Sequence, residues 1–177
     1  TPMFGPLQVS ASAGSGQRYS VALTYGGDYD HWTGVALGGF TTLGALAIAD
    51  PNEAGVDYRW SGSWSMLHND TGLSLTVSSG LDSGTEGDTP YNLYGKIGWD
   101  TRLLRFGPTG FGFDYTYTEN VTAEGDQGES FGVAAVQVFE RFGIELYSQL
   151  RWLSLDRGTG PDFEDILVFT NGTRVRF

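Results

Sequence analysis

The sequence predicts an all-β chain, an antiparallel transmembrane β-barrel of about ten strands in a single domain over residues 1–177. Three observations carry this expectation. Apolar and polar residues alternate in most segments, the period of a strand with one apolar face. Aromatic residues gather near segment ends: Tyr25, Trp32, Trp99, Tyr117, Phe139, Trp152 and Phe177. Connections are compact at one end of the strands and long and acidic at the other, as in an outer-membrane barrel.

Taken in order, PLQVSAS reads as a first strand whose faces are not clear from the sequence. RYSVALTY places Tyr19, Val21, Leu23 and Tyr25 on one face and Arg18, Ser20, Ala22 and Thr24 on the other. WTGVALGGF reads as the third strand. DYRWSGSWSM has Tyr58, Trp60, Trp64 and Met66 opposite Asp57, Arg59, Ser61, Ser63 and Ser65. GLSLTVSS and YNLYGKIGW follow, the latter setting Tyr91, Leu93, Ile97 and Trp99 against Asn92, Tyr94 and Lys96. FGFDYTYT sets Phe111, Phe113, Tyr115 and Tyr117 against Asp114, Thr116 and Thr118. SFGVAAVQV is a strand with indistinct faces. IELYSQLRW sets Ile144, Leu146, Leu150 and Trp152 against Glu145, Tyr147, Gln149 and Arg151. ILVFTNGTRVRF ends the chain, with Val175 and Phe177 on one face and Arg174 and Arg176 on the other. Each segment is roughly as long as a tilted strand crossing a bilayer requires.

Among the connections, DYDH, HNDT, RLLRFGPT and VFERFG are compact. LGALAIADPNEAG, LDSGTEGDTP, ENVTAEGDQGE and DRGTGPDFED read as longer, acidic loops. A water-soluble antiparallel sandwich would also alternate. Against it stand the small Ser, Thr and Gly residues of the polar face, the charges placed mid-strand, and the two classes of connection.

Composition agrees. The 27 glycines and 14% aromatic residues favour strands and tight turns. The chain has no cysteine, which removes disulfides, thiolate metal sites and cysteine nucleophiles. No apolar run reaches the ~18 residues of a transmembrane helix. The opening TPMFGPL lacks the basic and apolar regions of a secretory signal, so export is expected to use a segment already removed. A net charge of −11 argues against nucleic acid as a partner.

The second half resembles the carboxy-terminal half of the general diffusion porins of alphaproteobacteria. The resemblance rests on SMLHNDTGLSLTVSSG, YNLYGKIGW, FGFDYTYTENVTAEGDQGESFGVAAVQ, GIELYSQLRWLSLDR and DFEDILVFTNGTRVRF, in that order. It implies an outer-membrane channel of a Gram-negative bacterium for passive diffusion of small hydrophilic solutes or ions. Implied partners are outer-membrane lipid, lipopolysaccharide and the barrel-assembly machinery, which would recognise the terminal strand through Val175 and Phe177. Full-length members of that family have sixteen strands and an inward loop that this sequence does not clearly match. The chain is therefore either a complete small barrel or part of a larger porin wall shared with other barrel subunits.

Parity assigns Arg18, Arg59, Lys96, Asp114, Glu145, Arg151, Arg174 and Arg176 to the lumen, with Asp57 among the opposing acids. Two readings of this set stand: the charges pair across strands and fill the barrel, or they line a path and select solutes. The acidic loops give a solvated rim, or carboxylates bridged by divalent cations to lipopolysaccharide. A non-conducting barrel anchoring a partner through those loops is the alternative to a channel.

Catalysis is not expected. The two histidines, His31 and His68, fall in short turns, and Asp28, Asp30 and His31 make a chance cluster. No cofactor or metal is expected: DRGTGPDFED and EGDQGE do not match a helix-loop-helix calcium loop, and GSGQRY lacks the context of a phosphate loop.

Overall fold

The computed structural model describes residues 3–26, 34–84, 87–121, 123–161 and 163–176. Its strands are β1 (Met3–Phe4), β2 (Leu7–Ala13), β3 (Tyr19–Tyr25), β4 (Val35–Leu37), β5 (Phe40–Asp50) and β6 (Tyr58–His68). They continue with β7 (Leu73–Ser83), β8 (Tyr91–Leu104), β9 (Gly107–Glu119), β10 (Gln127–Phe139), β11 (Ile144–Asp156) and β12 (Ile166–Val175). One 3-10 turn, Glu140–Phe142, is the sole helical element among the described residues. Among the described residues no helix is long and apolar enough to cross a membrane.

All the strands join one antiparallel sheet in the order β1-β2-β3-β5-β6-β7-β8-β9-β10-β11-β12, with β4 paired to β5 beside β3. Apart from β4, chain order is sheet order, a plain meander. β1 and β12 are the two edges and do not pair with each other, so the sheet is open.

Residues in cross-strand register share a face, and two opposite faces result. One row runs Tyr25, Gly44, Trp64, Val77, Gly95, Tyr115, Phe131, Trp152, Leu167. The adjacent row on the other face runs Ser65, Thr76, Lys96, Asp114, Gly132, Arg151, Val168. Strand formation follows from the alternation: β-branched and aromatic residues fit a pleated surface that is apolar on one side.

This sheet has no apolar core. Among the described residues no hydrophobic side chain is buried, whereas Gln8, Thr42, Thr109, Asp114 and Asp126 are. Leu167 and Phe169 stay 66% and 65% exposed, and Ile97 57%. The accessible surface is 11768 Å². A compact soluble monomer of this mass exposes about 8,400 Å². The excess is what a single curved layer leaves uncovered.

Aromatic residues form two bands on the apolar face. At the long-loop end Tyr91 and Tyr117 lie 5.7 Å apart, and Phe131 packs between Tyr115 at 4.7 Å and Trp152 at 5.4 Å. At the short-turn end Trp99 stacks on Phe111 at 6.0 Å and Phe106 meets Phe139 at 5.7 Å. Trp32 and Phe177 lie outside the described residues. Tyr91 and Trp99 delimit the bands on β8, eight residues apart. That is about 27 Å along the strand, or about 21 Å vertically at a 40° tilt, near the ~25 Å apolar band of an outer-membrane barrel.

Several expectations need correction. LGALAIADPNEAG is not one loop: its first eight residues complete β5. Ala45, Ala47 and Ala49 occupy the polar face there, so small apolar side chains conceal the alternation with Leu46 and Ile48. WTGVALGGF, in turn, is not one strand. Gly38 and Gly39 carry φ of 53° and 90°, the double left-handed conformation of a two-residue hairpin turn, and fold β4 back onto β5. The long strands still number ten, with β5 replacing WTGVALGGF. RLLRFGPT shrinks to the turn at Arg105 and Phe106, because β8 and β9 extend through its ends. The connection from β3 to β5 is the long one at the short-turn end, and DYDH, with His31, lies outside the described residues.

Candidate functional site: a charged row across the polar face

The polar face is built from residues too small to cover it. Between β8 and β11 the positions of that parity include Gly98, Gly110, Gly112, Gly132 and Ala134, which leave a shallow trough of about 500 Å³ beside Lys96, Asp114 and Gln149. Charged side chains reach across it.

Arg151 on β11 spans the whole of β10 to reach Asp114 on β9. Its Nη2 donates to Asp114 Oδ1 at 2.6 Å and its Nη1 to Ser130 Oγ at 2.8 Å. With its amide turned to present oxygen, Gln149 accepts from Nη2 and Nε at 3.1 Å. The carboxylate side chain is 11% exposed and the guanidinium side chain 28%. The crossing is possible because Gly132 lies beneath it: a Cβ there would stand 2.6 Å from Asp114 Oδ2 and 2.7 Å from Arg151 Nη2. Lys96 is the next member of the row, exposed and without an ion pair among the described residues.

Two further clusters flank this one. Toward the short turns, Glu145 holds Arg174 at 3.1 Å and Arg176 at 2.5 Å. Toward the long loops, Arg59 makes a fork with Asp82, Nε to Oδ1 and Nη2 to Oδ2, both 2.7 Å, with Glu53 at 3.5 Å. The expected lumen set is thus distributed over three heights of one face. Arg18 is the exception. It sits in the β2–β3 connection at the loop end, its carbonyl accepting from the Gly14 N–H at 2.8 Å, not within the wall. Asp57 likewise precedes β6, its N–H bonded to the Ser83 carbonyl at 2.8 Å. Val175 lies on the apolar face, 52% exposed, as its parity requires. Phe177 falls outside the described residues.

Five of the acids assigned to the loops belong to strands: Asp50, Asp82, Glu119, Glu129 and Asp156. Asp82 closes the Arg59 fork within β7, while Glu119 and Glu129 stand on the apolar face of β9 and β10. There they accept from tyrosine hydroxyls: Tyr91 and Tyr117 to Glu119 at 2.7 and 2.9 Å, Tyr115 to Glu129 at 2.9 Å. These bonds fix the phenol rings of the loop-end band. Gln149 was placed on the face of Arg151 by its parity, whereas Ser130 and Gly132 of the central row were not expected. The signal that could have found them is parity, since they share the face of Asp114 and Arg151, but SFGVAAVQV has apolar or small residues on both faces and conceals it.

Chemically this face can bind and orient ions and dipoles. Among the described residues no three His, Cys, Asp or Glu side chains group as metal ligands would. His68 donates or accepts with Thr71 Oγ1 at 2.7 Å within its turn. Comparison with protein-family models, with curated proteins and with solved structures finds no match.

Proposed function

We propose that the chain forms the wall of a porin-type channel in the outer membrane of a Gram-negative bacterium, through which small hydrophilic solutes or ions diffuse passively. The observation that carries this reading is the inverted burial: an apolar face with no cover, and polar side chains as the buried ones. In water each large apolar side chain left open forgoes about 1.5–3 kcal/mol. Hydrocarbon supplies the missing cover, and the two aromatic bands stand about 21 Å apart, near the ~25 Å apolar band of an outer-membrane barrel. The opposite face would then border water, with its charges in pairs that partly compensate one another.

In lipid the sheet must close, because unpaired backbone at an edge is costly there. The strand directions restrict how. β12 runs from the loop end to the turn end and β2 the reverse, so on closure these two would pair antiparallel, whereas β1 and β12 run parallel. The row through Leu7 meets β12 at Leu167, eight residues before the strand's last residue, Val175. Ten strands tilted at 35–45° require a stagger of about 10–14 residues. A stagger of ten would set Val9 beside Val175 with both faces matched. The same two edges could instead pair between copies and build a wider wall.

The alternative reading is a non-conducting barrel that anchors a partner through acidic loops. A planar bilayer separates the two. Refolded chain should raise conductance in discrete steps; a heat-modifiable, folded chain that adds no conductance would overturn transport. The proposed partners are lipid, lipopolysaccharide and the barrel-assembly machinery, with no enzymatic step.

A further inference from the structure

The short-turn end carries a feature that diffusion does not require. The β8–β9 and β10–β11 turns are tied together: the Glu140 N–H donates to the Phe106 carbonyl at 3.0 Å, and Arg102 pairs with Glu140 at 2.8 Å. Phe106 and Phe139 pack across the same joint at 5.7 Å. The resulting platform exposes Leu103 (57%), Phe106 (45%) and Phe142 (61%) at the outer margin of the turn-end aromatic band. Arg105 lies over the Phe106 ring at 5.6 Å and Arg141 over Phe142 at 6.0 Å. Neither has an acidic partner among the described residues, whereas Arg102, Arg151, Arg174 and Arg176 all do.

An exposed apolar patch flanked by two unneutralised guanidinium groups is unfavourable in water and well suited to a lipid interface. Arginine and aromatic side chains there place their apolar parts in the acyl region and their polar ends at headgroup level. The guanidinium fork matches phosphate oxygens in shape and charge. The opposite end of the wall is acidic, with Glu53, Asp57, Asp88, Glu124, Glu164 and Asp165, and would repel the same headgroup. We propose that Arg105 and Arg141, on the platform of Leu103, Phe106 and Phe142, bind the phosphate of an anionic phospholipid in the leaflet facing the short turns. This rests on the membrane reading above and adds a lipid preference and its location.

The test uses the full chain refolded into phosphatidylcholine vesicles carrying a trace of fluorescent phosphatidylglycerol or fluorescent phosphatidylcholine. Energy transfer from the native tryptophans, Trp99 near this end among them, reports local lipid enrichment. Enrichment of the anionic probe is expected, and R105Q/R141Q should reduce it to the level of the zwitterionic probe, with a loss of about fivefold per arginine at most. Arg157→Gln, at the acidic end, should leave it unchanged, and heat-modifiable mobility checks that each variant is folded. Equal enrichment of the two probes around the wild-type chain, or an anionic preference that survives in the double variant, would overturn the proposal. A chain that inserts into neither vesicle would overturn the membrane reading itself, a distinguishable failure.

Discussion

Replacing Gly132 by Ala probes the central row with the smallest possible change. The added methyl would stand 2.6 Å from Asp114 Oδ2, 2.7 Å from Arg151 Nη2 and 3.0 Å from Arg151 Cζ. One side chain must withdraw. Losing a charge-assisted hydrogen bond costs about 1.5–3 kcal/mol. Alanine offsets about 0.5–1 kcal/mol of this, because glycine is the poorer residue inside a strand. The net expectation is a destabilisation of roughly 1–2 kcal/mol. Gly95 provides the control: it lies on the other face of β8, and a Cβ there meets nothing within 4 Å. Gly95→Ala should be neutral or mildly stabilising. The assay is urea unfolding of refolded chain in detergent, followed by tryptophan fluorescence. The penalty should also shrink when Arg151 and Asp114 are already alanine, since the methyl then has nothing to displace. If Gly132→Ala proves no more harmful than Gly95→Ala, the ion pair does not cross β10 as described.

Three further outcomes follow from the same geometry. Replacing Arg151 and Arg174 together by Gln unmasks Asp114 and weakens the hold on Glu145, so selectivity should shift toward cations; an unchanged reversal potential in a conducting variant would place these arginines off the path. Because the chain has no native cysteine, Val9→Cys with Val175→Cys reports on closure directly. An intramolecular disulfide is expected for a ten-strand barrel, a disulfide-linked multimer for a shared wall, and neither product would sink edge pairing at this register. Deleting Phe177 should reduce delivery to the outer membrane far more than it reduces the urea resistance of barrel already assembled. Normal delivery would refute its role as an assembly signal.

The sequence announced most of the sheet because most strands place large apolar residues against polar ones. Tyr58, Trp60, Trp64 and Met66 declare a face without help from any neighbour. β5 was hidden because Ala45, Ala47 and Ala49 sit where polar residues were expected, and alanine carries little information about side. The charged set was legible in parity: Lys96, Asp114, Arg151, Glu145 and Arg174 do share one face. Which of them touch was not legible, because pairing depends on cross-strand register. Arg151 finds Asp114 two strands away only because the residue between them is Gly132. Arg18 misled because it borders a strand whose alternation it continues, while the β2–β3 turn, with Gly16 and Gln17 at positive φ, lies immediately before it.

Each strand makes appreciable contacts only with the strands beside it. A globular core ties distant segments together, so that damage anywhere is felt everywhere. This wall has no such common centre, and its elements communicate in series, like links rather than spokes. A perturbation in the β6–β7 hairpin can reach β11 only by passing through β8, β9 and β10 in turn. Local opening should therefore be graded from the free edges inward, with β1 and β12 the first to exchange amide hydrogens and the central β6–β8 the last. Joining the two edges would turn that series into a ring, and the gradient would flatten.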